Sequence, residues 1–292
     1  MQKLFTTLVC LVLSLMGWAQ ELSLSPACNS LTITGGRTLT ETTTTIGRQF
    51  MGYPYVPHTL DVNPTEQLVV NLTQFDCTTY VETVLALSLA WQEQAGRPDP
   101  MLFEQTFRKY LTKLRYRDGQ INGYASRLHY FSDWLRDNER KGLLTDVTGQ
   151  LPGAIVVAKP VSYMTASTYK YPHLNDPVIF RQVAQMEADL SRQTFSFIPK
   201  KNIRLAETQL REGDIVMLCA ARPGLDMKHV GLVVRQPGGQ IHLLHASSDR
   251  AVVVITPSSL QNYVLSHKYL SGIRVARLRA SAPALTAVAG GK

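Results

Sequence analysis

The chain has 292 residues, 45% hydrophobic and 18% charged, which is material for one large or two small domains with an ample core. Its formal net charge is +8 and its pI about 9.3. Apart from Lys200-Lys201 the basic residues are spread out, which argues against a nucleic-acid stripe and suits a mildly basic surface with an acidic partner.

Residues 1–19 read as a secretory signal peptide, with Lys3, the apolar run Leu4 to Met16 and small residues in Gly17-Trp18-Ala19 ahead of cleavage before Gln20. The run is too short to span a bilayer, and no other stretch is long and apolar enough. Cys28 follows Ser25-Pro26-Ala27, a poor lipid-attachment signal. Removing the leader leaves Cys28, Cys77 and Cys219, an odd number for an exported chain. A Cys28–Cys219 disulfide and two buried free thiols are both compatible with this.

Residues 20–37 read as extended. A helix is predicted from Thr38 to Met51, weakened by the β-branched run Thr42 to Thr45. Gly52 to Pro57 is a loop, and Leu68-Val69-Val70 a short strand. Asp76 then caps a helix that begins at Cys77 and runs to about Gln94, with an apolar stripe of Val81, Val84, Leu85, Leu89 and Trp91 and a stop at Gly96 and Pro98. A thiol at a helix N-terminus meets unpaired N–H groups and the positive end of the dipole, which favour thiolate. The plainer reading is a small buried cysteine.

A second helix is predicted from Pro100, capped by Asp99, to Arg115, with Leu102, Phe103, Phe107, Tyr110, Leu111 and Leu114 inward. A third runs from Ser126 to Lys141. It would hold Arg127 and His129 in its first turn, where a cation opposes the dipole and hints at a ligand. Ala154 to Ala158 reads as a strand, Ser162 to Asn175 as a tyrosine-rich loop, Asp176 to Arg192 as a helix and Phe197 to Lys201 as a connector. The last third alternates short strands and turns: 214–220, 229–234, 241–247, 251–256 and 269–278, with a short helix in 257–267 and a frayed tail at 281–292. Helices first and sheet second predict an α+β fold with helices packed on a C-terminal antiparallel sheet.

The chemistry-bearing residues fall on the hairpin of 229–234 and 241–245. With its turn centred on Pro237, His229 faces His245 and both lie on one side. Gly231 between them leaves room for close approach. A helix N-terminus packed over that side would set Cys77 beside His229, which can take the thiol proton, while His245 orients the imidazole. The same three residues could instead hold a metal, or the histidines could be purely structural. His242 points to the other side and reads as a surface residue.

Asp76-Cys77 opening a helix, His229-Val230-Gly231 on a strand and His245-Ala246-Ser247-Ser248 on the next resemble the NlpC/P60 cysteine hydrolases, papain-like enzymes of the bacterial cell wall. Gly52-Tyr53-Pro54-Tyr55, Ser126-Arg127-Leu128-His129-Tyr130-Phe131, Phe197-Ile198-Pro199-Lys200 and Gly213-Asp214-Ile215 extend the likeness to the DUF1460 branch, which are N-acetylmuramoyl-L-alanine amidases. The resemblance implies a single papain-like domain over residues 20–280 with helical insertions. It also implies a periplasmic, monomeric enzyme that acts on peptidoglycan fragments without metal or cofactor. Cys77 would be nucleophile, His229 base and His245 the orienting third member. Tyr55, Asp76, Arg127 and His129 would contact substrate. Most NlpC/P60 enzymes cut after D-glutamate inside the peptide stem, so a γ-D-glutamyl endopeptidase stays open, as does a non-catalytic wall-binding protein.

Overall fold

The computed structural model describes residues 38–94 and 100–279. The expected leader, the extended segment 20–37, Cys28, the stop and cap between 95 and 99 and the tail at 281–292 lie outside the described residues.

Helix α1 spans Leu39–Gln49, with the Thr38 hydroxyl accepting from Glu41 N. Its threonines fit because Thr42, Thr43 and Thr44 donate their hydroxyls to the carbonyls four residues back, which lets them be buried. Helix α2 spans Cys77–Glu93, and residues 79–90 are buried on every side. The expected stripe is therefore one face of a central helix that is apolar all round. Helix α3, Pro100–Arg115, packs along α2 with Phe103, Phe107, Leu111 and Leu114 buried, whereas Leu102 points outward at 53% exposure.

Helix α4 is shorter than the pattern predicts. It spans Phe131–Arg140, and its cap is Tyr130 in extended conformation. Ser126 closes a 3₁₀ turn whose hydroxyl bonds Gly123 O, and Arg127 bridges Tyr116 as extended backbone. Arg127 and His129 are thus outside the helix, and the dipole argument does not apply to them.

Strand β1 is Leu144–Asp146 and β2 is Ile155–Ala158. Helix α5, Pro177–Ser191, is capped by Asp176. The expected connector after it is part of strand β3, Thr194–Pro199, which pairs β2. Residues 68–70, expected as a strand, belong to none. Short helix α6 is Ile203–Ala206. The strands β4 (Ile215–Ala220), β5 (Met227–Arg235), β6 (Ile241–Ser247) and β7 (Val252–Ile255), helix α7 (Leu260–Ser266) and strand β8 (Leu270–Leu278) complete the order close to the predicted bounds. The sheet runs β2-β3-β8-β4-β5-β6-β7, antiparallel throughout, and β1 joins β8.

The two faces of this sheet bury different partners. Met217, Cys219, Val230, Leu232, Val234 and Leu244 pack against α1, α2, α3 and α4. Val216, Leu218, Val233, Ile241, Leu243 and Ile273 pack against α6 and α7. A third cluster joins Tyr130, Met164 and Val183 of α5 and its neighbours. A buried ion pair ties three helices together. Arg115 Nε donates to Glu82 Oε2 at 2.6 Å, Trp134 Nε1 donates to Glu82 Oε1 at 3.2 Å, and Arg115 Nη1 reaches Val69 O at 2.7 Å. No helix of the described residues is long and apolar enough to cross a membrane.

Candidate active site

Asp76 fixes where Cys77 sits. Its backbone is extended, its carboxylate accepts from Thr79 N at 2.8 Å, and its own N–H donates to Thr79 Oγ1 at 2.9 Å. This reciprocal cap locks the first turn of α2. The Asp76 carboxylate serves that cap and is not among the cavity walls described next.

Cys77 opens onto a cavity of about 340 Å³ whose walls include Tyr55, His229, Asp249, Tyr263 and His267. The hairpin register that brings His229 there differs from the expected one. Pairs run Leu232↔Leu244, Val233↔Leu243 and Arg235↔Ile241, so the turn is centred on Gly238, where Gly238 and Gly239 both take positive φ. His245 therefore lies opposite Gly231 and diagonal to His229. A two-residue shift keeps both histidines on one face, and His229 Nε2 lies 2.5 Å from His245 Nδ1 with the rings edge to face. Gly231 is required: a Cβ there would stand 2.8 Å from Leu243 and 2.9 Å from His245 Cβ.

The histidines share the face of Val233 and Leu243, while α2 packs on the other. Cys77 thus does not sit over the histidine face, as the sequence reading expected. It meets His229 in a shared cavity. The β5–β6 ladder ends at Leu232↔Leu244, and beyond it the N–H of Val230 bonds the Cys77 sulfur. A bulge aids this: Leu218 pairs His229 but Cys219 pairs Met227, so Lys228 is the extra residue. Bulges re-aim side chains in this way beside functional sites. Two ring nitrogens at that separation share a proton rather than an ion, and among the described residues no group of three His, Cys, Asp or Glu is arranged to hold a metal.

Burial disfavours charge on the thiol and on both imidazoles. Burial pushes the Cys77 thiol up to about 12, the Asp76 charge adds to this, and hydrogen bonds from Thr78 and Val230 oppose it. Burial, then His245, holds His229 well below the usual histidine range, and burial brings His245 to about 4. The surroundings thus favour the thiol over the expected thiolate. A helix end contributes roughly 0.3–2 kcal/mol, less than the several kcal/mol of stripping water from an ion. Tyr55 also faces the cavity and is raised by burial and then by Cys77.

Arg127 and His129 are held elsewhere. Arg127 is buried, donates to Asp61 Oδ1 at 2.5 Å and lies 4.9 Å over the Tyr124 ring. His129 Nε2 bonds Tyr124 O at 2.9 Å, and burial, with the Arg127 charge, holds it near 3. His173 stacks on the same tyrosine at 4.4 Å. None of these residues lines the Cys77 cavity. His242, expected at the surface, is buried and bonds Thr256 O at 2.7 Å. Cys219 is buried, and no disulfide joins the described cysteines. The walls that sequence reading missed are Lys228, Asp249, Tyr263, His267 and Tyr269. Only the spacing of Tyr263 and His267, one turn apart, gave a signal, and their rings do meet at 4.3 Å.

An antiparallel sheet flanked by helices, with a cysteine at a helix start that shares a cavity with a histidine, defines an α+β protein. The chain belongs to the AmiA-like family, described as N-acetylmuramoyl-L-alanine amidase-like, whose model matches residues 45–273. A solved N-acetylmuramoyl-L-alanine amidase from Bacteroides uniformis is 34% identical, with 82% of this chain and 99% of that one covered and a TM-score of 0.75. A Bacteroides fragilis protein named as a candidate xylanase is 39% identical, with coverage of 80% and 100% and a TM-score of 0.73. The Legionella pneumophila protein LPG0564, of the DUF1460 family, is 21% identical at a TM-score of 0.60 over 84% and 90%, a likeness of fold alone. A search of curated proteins finds no match.

Proposed function

We propose that the chain is a cysteine-dependent N-acetylmuramoyl-L-alanine amidase of NlpC/P60, papain-like type, acting on peptidoglycan fragments. The observation that carries this reading is the shared cavity of Cys77 and His229, with His229 bonded to His245 at 2.5 Å, inside the region that matches the amidase-like family. The name of the Bacteroides uniformis relative supplies the substrate class. The xylanase name on the other relative suits this site less. Glycoside hydrolysis needs two carboxyl groups facing one bond, and Asp249 is the one carboxylate among the cavity walls.

The chemistry follows from the neutral pair. His229 carries its proton on Nε2, donated to His245 Nδ1, which leaves Nδ1 to accept from the Cys77 thiol. Sulfur attacks the lactyl carbonyl as that proton moves to His229, and the N–H of Cys77, unpaired at the first helical position, faces the developing oxyanion. Collapse breaks the C–N bond and returns the proton to the leaving amine of L-alanine. Water, deprotonated by His229, then adds to the thioester, and the thiol departs with its proton restored. This chemistry calls for no metal.

Mass spectrometry of digested muropeptides tests the bond. Release of a stem that begins with L-alanine is expected, whereas fragments cut after D-glutamate would establish the endopeptidase instead. Binding of muropeptides without turnover would leave a wall-binding protein. Export through residues 1–19 to the periplasm, with cleavage near Ala19, is part of the proposal and is read by fractionation and N-terminal sequencing. A monomer in light scattering is also expected.

A further inference from the structure

Beside the Cys77 cavity lies a second one, of about 460 Å³, whose walls include Tyr163, Arg222, Lys228, Lys268 and Tyr269. Lys228 and Tyr269 wall both cavities, so the two adjoin. Its chemistry is one-sided. Lys228 Nζ and Lys268 Nζ lie 5.6 and 5.1 Å from the Tyr269 ring centre, and the Arg222 guanidinium lies 4.6 Å over Tyr163. Lys170 donates to the Tyr163 hydroxyl at 2.8 Å and Arg222 at 3.3 Å. No aspartate or glutamate is among the walls.

Elsewhere in the fold, cations near the sheet are matched by acids. Arg115 pairs Glu82, Arg127 pairs Asp61, Arg274 pairs Asp146 and Arg277 pairs Asp214. Among the described residues Arg222, Lys228 and Lys268 make no such pair. Asp226, close by in sequence, is buried and accepts from Ser132 N at 2.7 Å and Met227 N at 2.6 Å. Like charges gathered without counter-charge repel one another, and the fold holds them there. The β5 bulge that frees His229 is also what turns Lys228 out beside it.

We propose that this basic aromatic pocket binds the carboxylates of the stem peptide on the leaving side of the scissile amide. The inference rests on the amidase reading and gives the substrate a direction. The first stem residue, alanine, has no charged side chain, and the first carboxylate belongs to the next residue. An extended residue spans about 3.3–3.6 Å, so that carboxylate lies a few ångströms beyond the attacked carbonyl, and Lys228 is the lysine that walls the Cys77 cavity as well as the second one.

The test compares two substrates, N-acetylmuramoyl-L-alanyl-D-glutamate and its D-isoglutamine analogue, in which an amide replaces the α-carboxylate and the γ-carboxylate remains. The wild type is expected to favour the carboxylate form in kcat/KM by about five-fold or more, with the preference shrinking in high salt. In the Lys268→Gln/Arg222→Gln double variant the ratio is expected to fall toward one through KM. Equal rates on both substrates in the wild type, or an unchanged ratio in the variant, would overturn the subsite. Cleavage of neither substrate would count against the amidase reading alone. In that case calorimetry decides this one, with Cys77→Ser and free L-alanyl-D-isoglutamyl peptide against its amidated form. Tighter binding of the acid upholds the pocket, and equal binding overturns it.

Discussion

Two turns of one helix treat burial in opposite ways. In the middle of α2, Glu82 is about as buried as a side chain can be, yet Arg115 and Trp134 answer it with charge and hydrogen bonds. At the first turn, Cys77 opens onto a cavity that His229, Lys228 and Asp249 also wall, and burial, then the Asp76 charge, pushes its thiol up. Burial permits a charge where a partner of opposite sign bonds it and disfavours it elsewhere. The helix axis is common to both sites; the elements that cross it decide.

Removing each element in turn tests that contrast. The largest effect is expected at the sulfur. Cys77→Ala should lower turnover by ~10³-fold or more, while its denaturant midpoint stays near wild type; hydrolysis at the wild-type rate would end the nucleophile assignment. At the other end of the comparison, Arg115→Ala leaves an uncompensated buried acid and should cost about 3–5 kcal/mol in chemical denaturation, with Glu82→Gln in the same chain restoring part of it. If Arg115→Ala loses less than about 1 kcal/mol, the brace is not what holds α2, α3 and α4 together. Gly231→Ala drives a methyl group against Leu243 and His245. It should cost about 1–3 kcal/mol and reduce kcat with little change in KM, and a crystal structure should show the His245 ring displaced.

Two smaller effects follow from proton equilibria and capping. His245 is held at about 4 in the fold, against about 6.5 in an unfolded chain. Below pH 6.5 the unfolded state therefore takes up more protons. The stability that this histidine contributes is complete above that value and is lost as pH falls toward 4. His245→Gln should flatten part of that slope in thermal melts. For the same reason the acid limb of kcat/KM should lie below the ordinary histidine range, since His229 must be neutral to accept the thiol proton. A limb at or above 6.5 would argue for a preformed ion pair. Asp76→Ala should cost about 1 kcal/mol by loss of the cap.

Much of the site was legible because its residues announce themselves locally. Asp76 before an apolar helix is a capping signal wherever it occurs, and strand alternation puts His229 and His245 on one face in either register. The α+β order and the five C-terminal strands were read to within a residue or two. Arg127 and His129 misled, since Ser126 resembles a helix cap yet bonds Gly123, and the chain stays extended to Tyr130. Buried His242 carried no mark at all, because its partner is a backbone carbonyl that any residue could present.

The sequence by itself determined the local setting of the candidate groups, a thiol at a helix start and two imidazoles on one face of a hairpin, and the family to which the chain belongs. Tertiary structure decided their state and their meeting place. It ended the β5–β6 ladder at Leu232↔Leu244, packed α2 on the face away from the two histidines, and buried the thiol and imidazoles so that charge on them is disfavoured. Local pattern fixes which way a side chain points. Charge and reach depend on what other segments bring within a few ångströms, and spacing along the chain does not encode that.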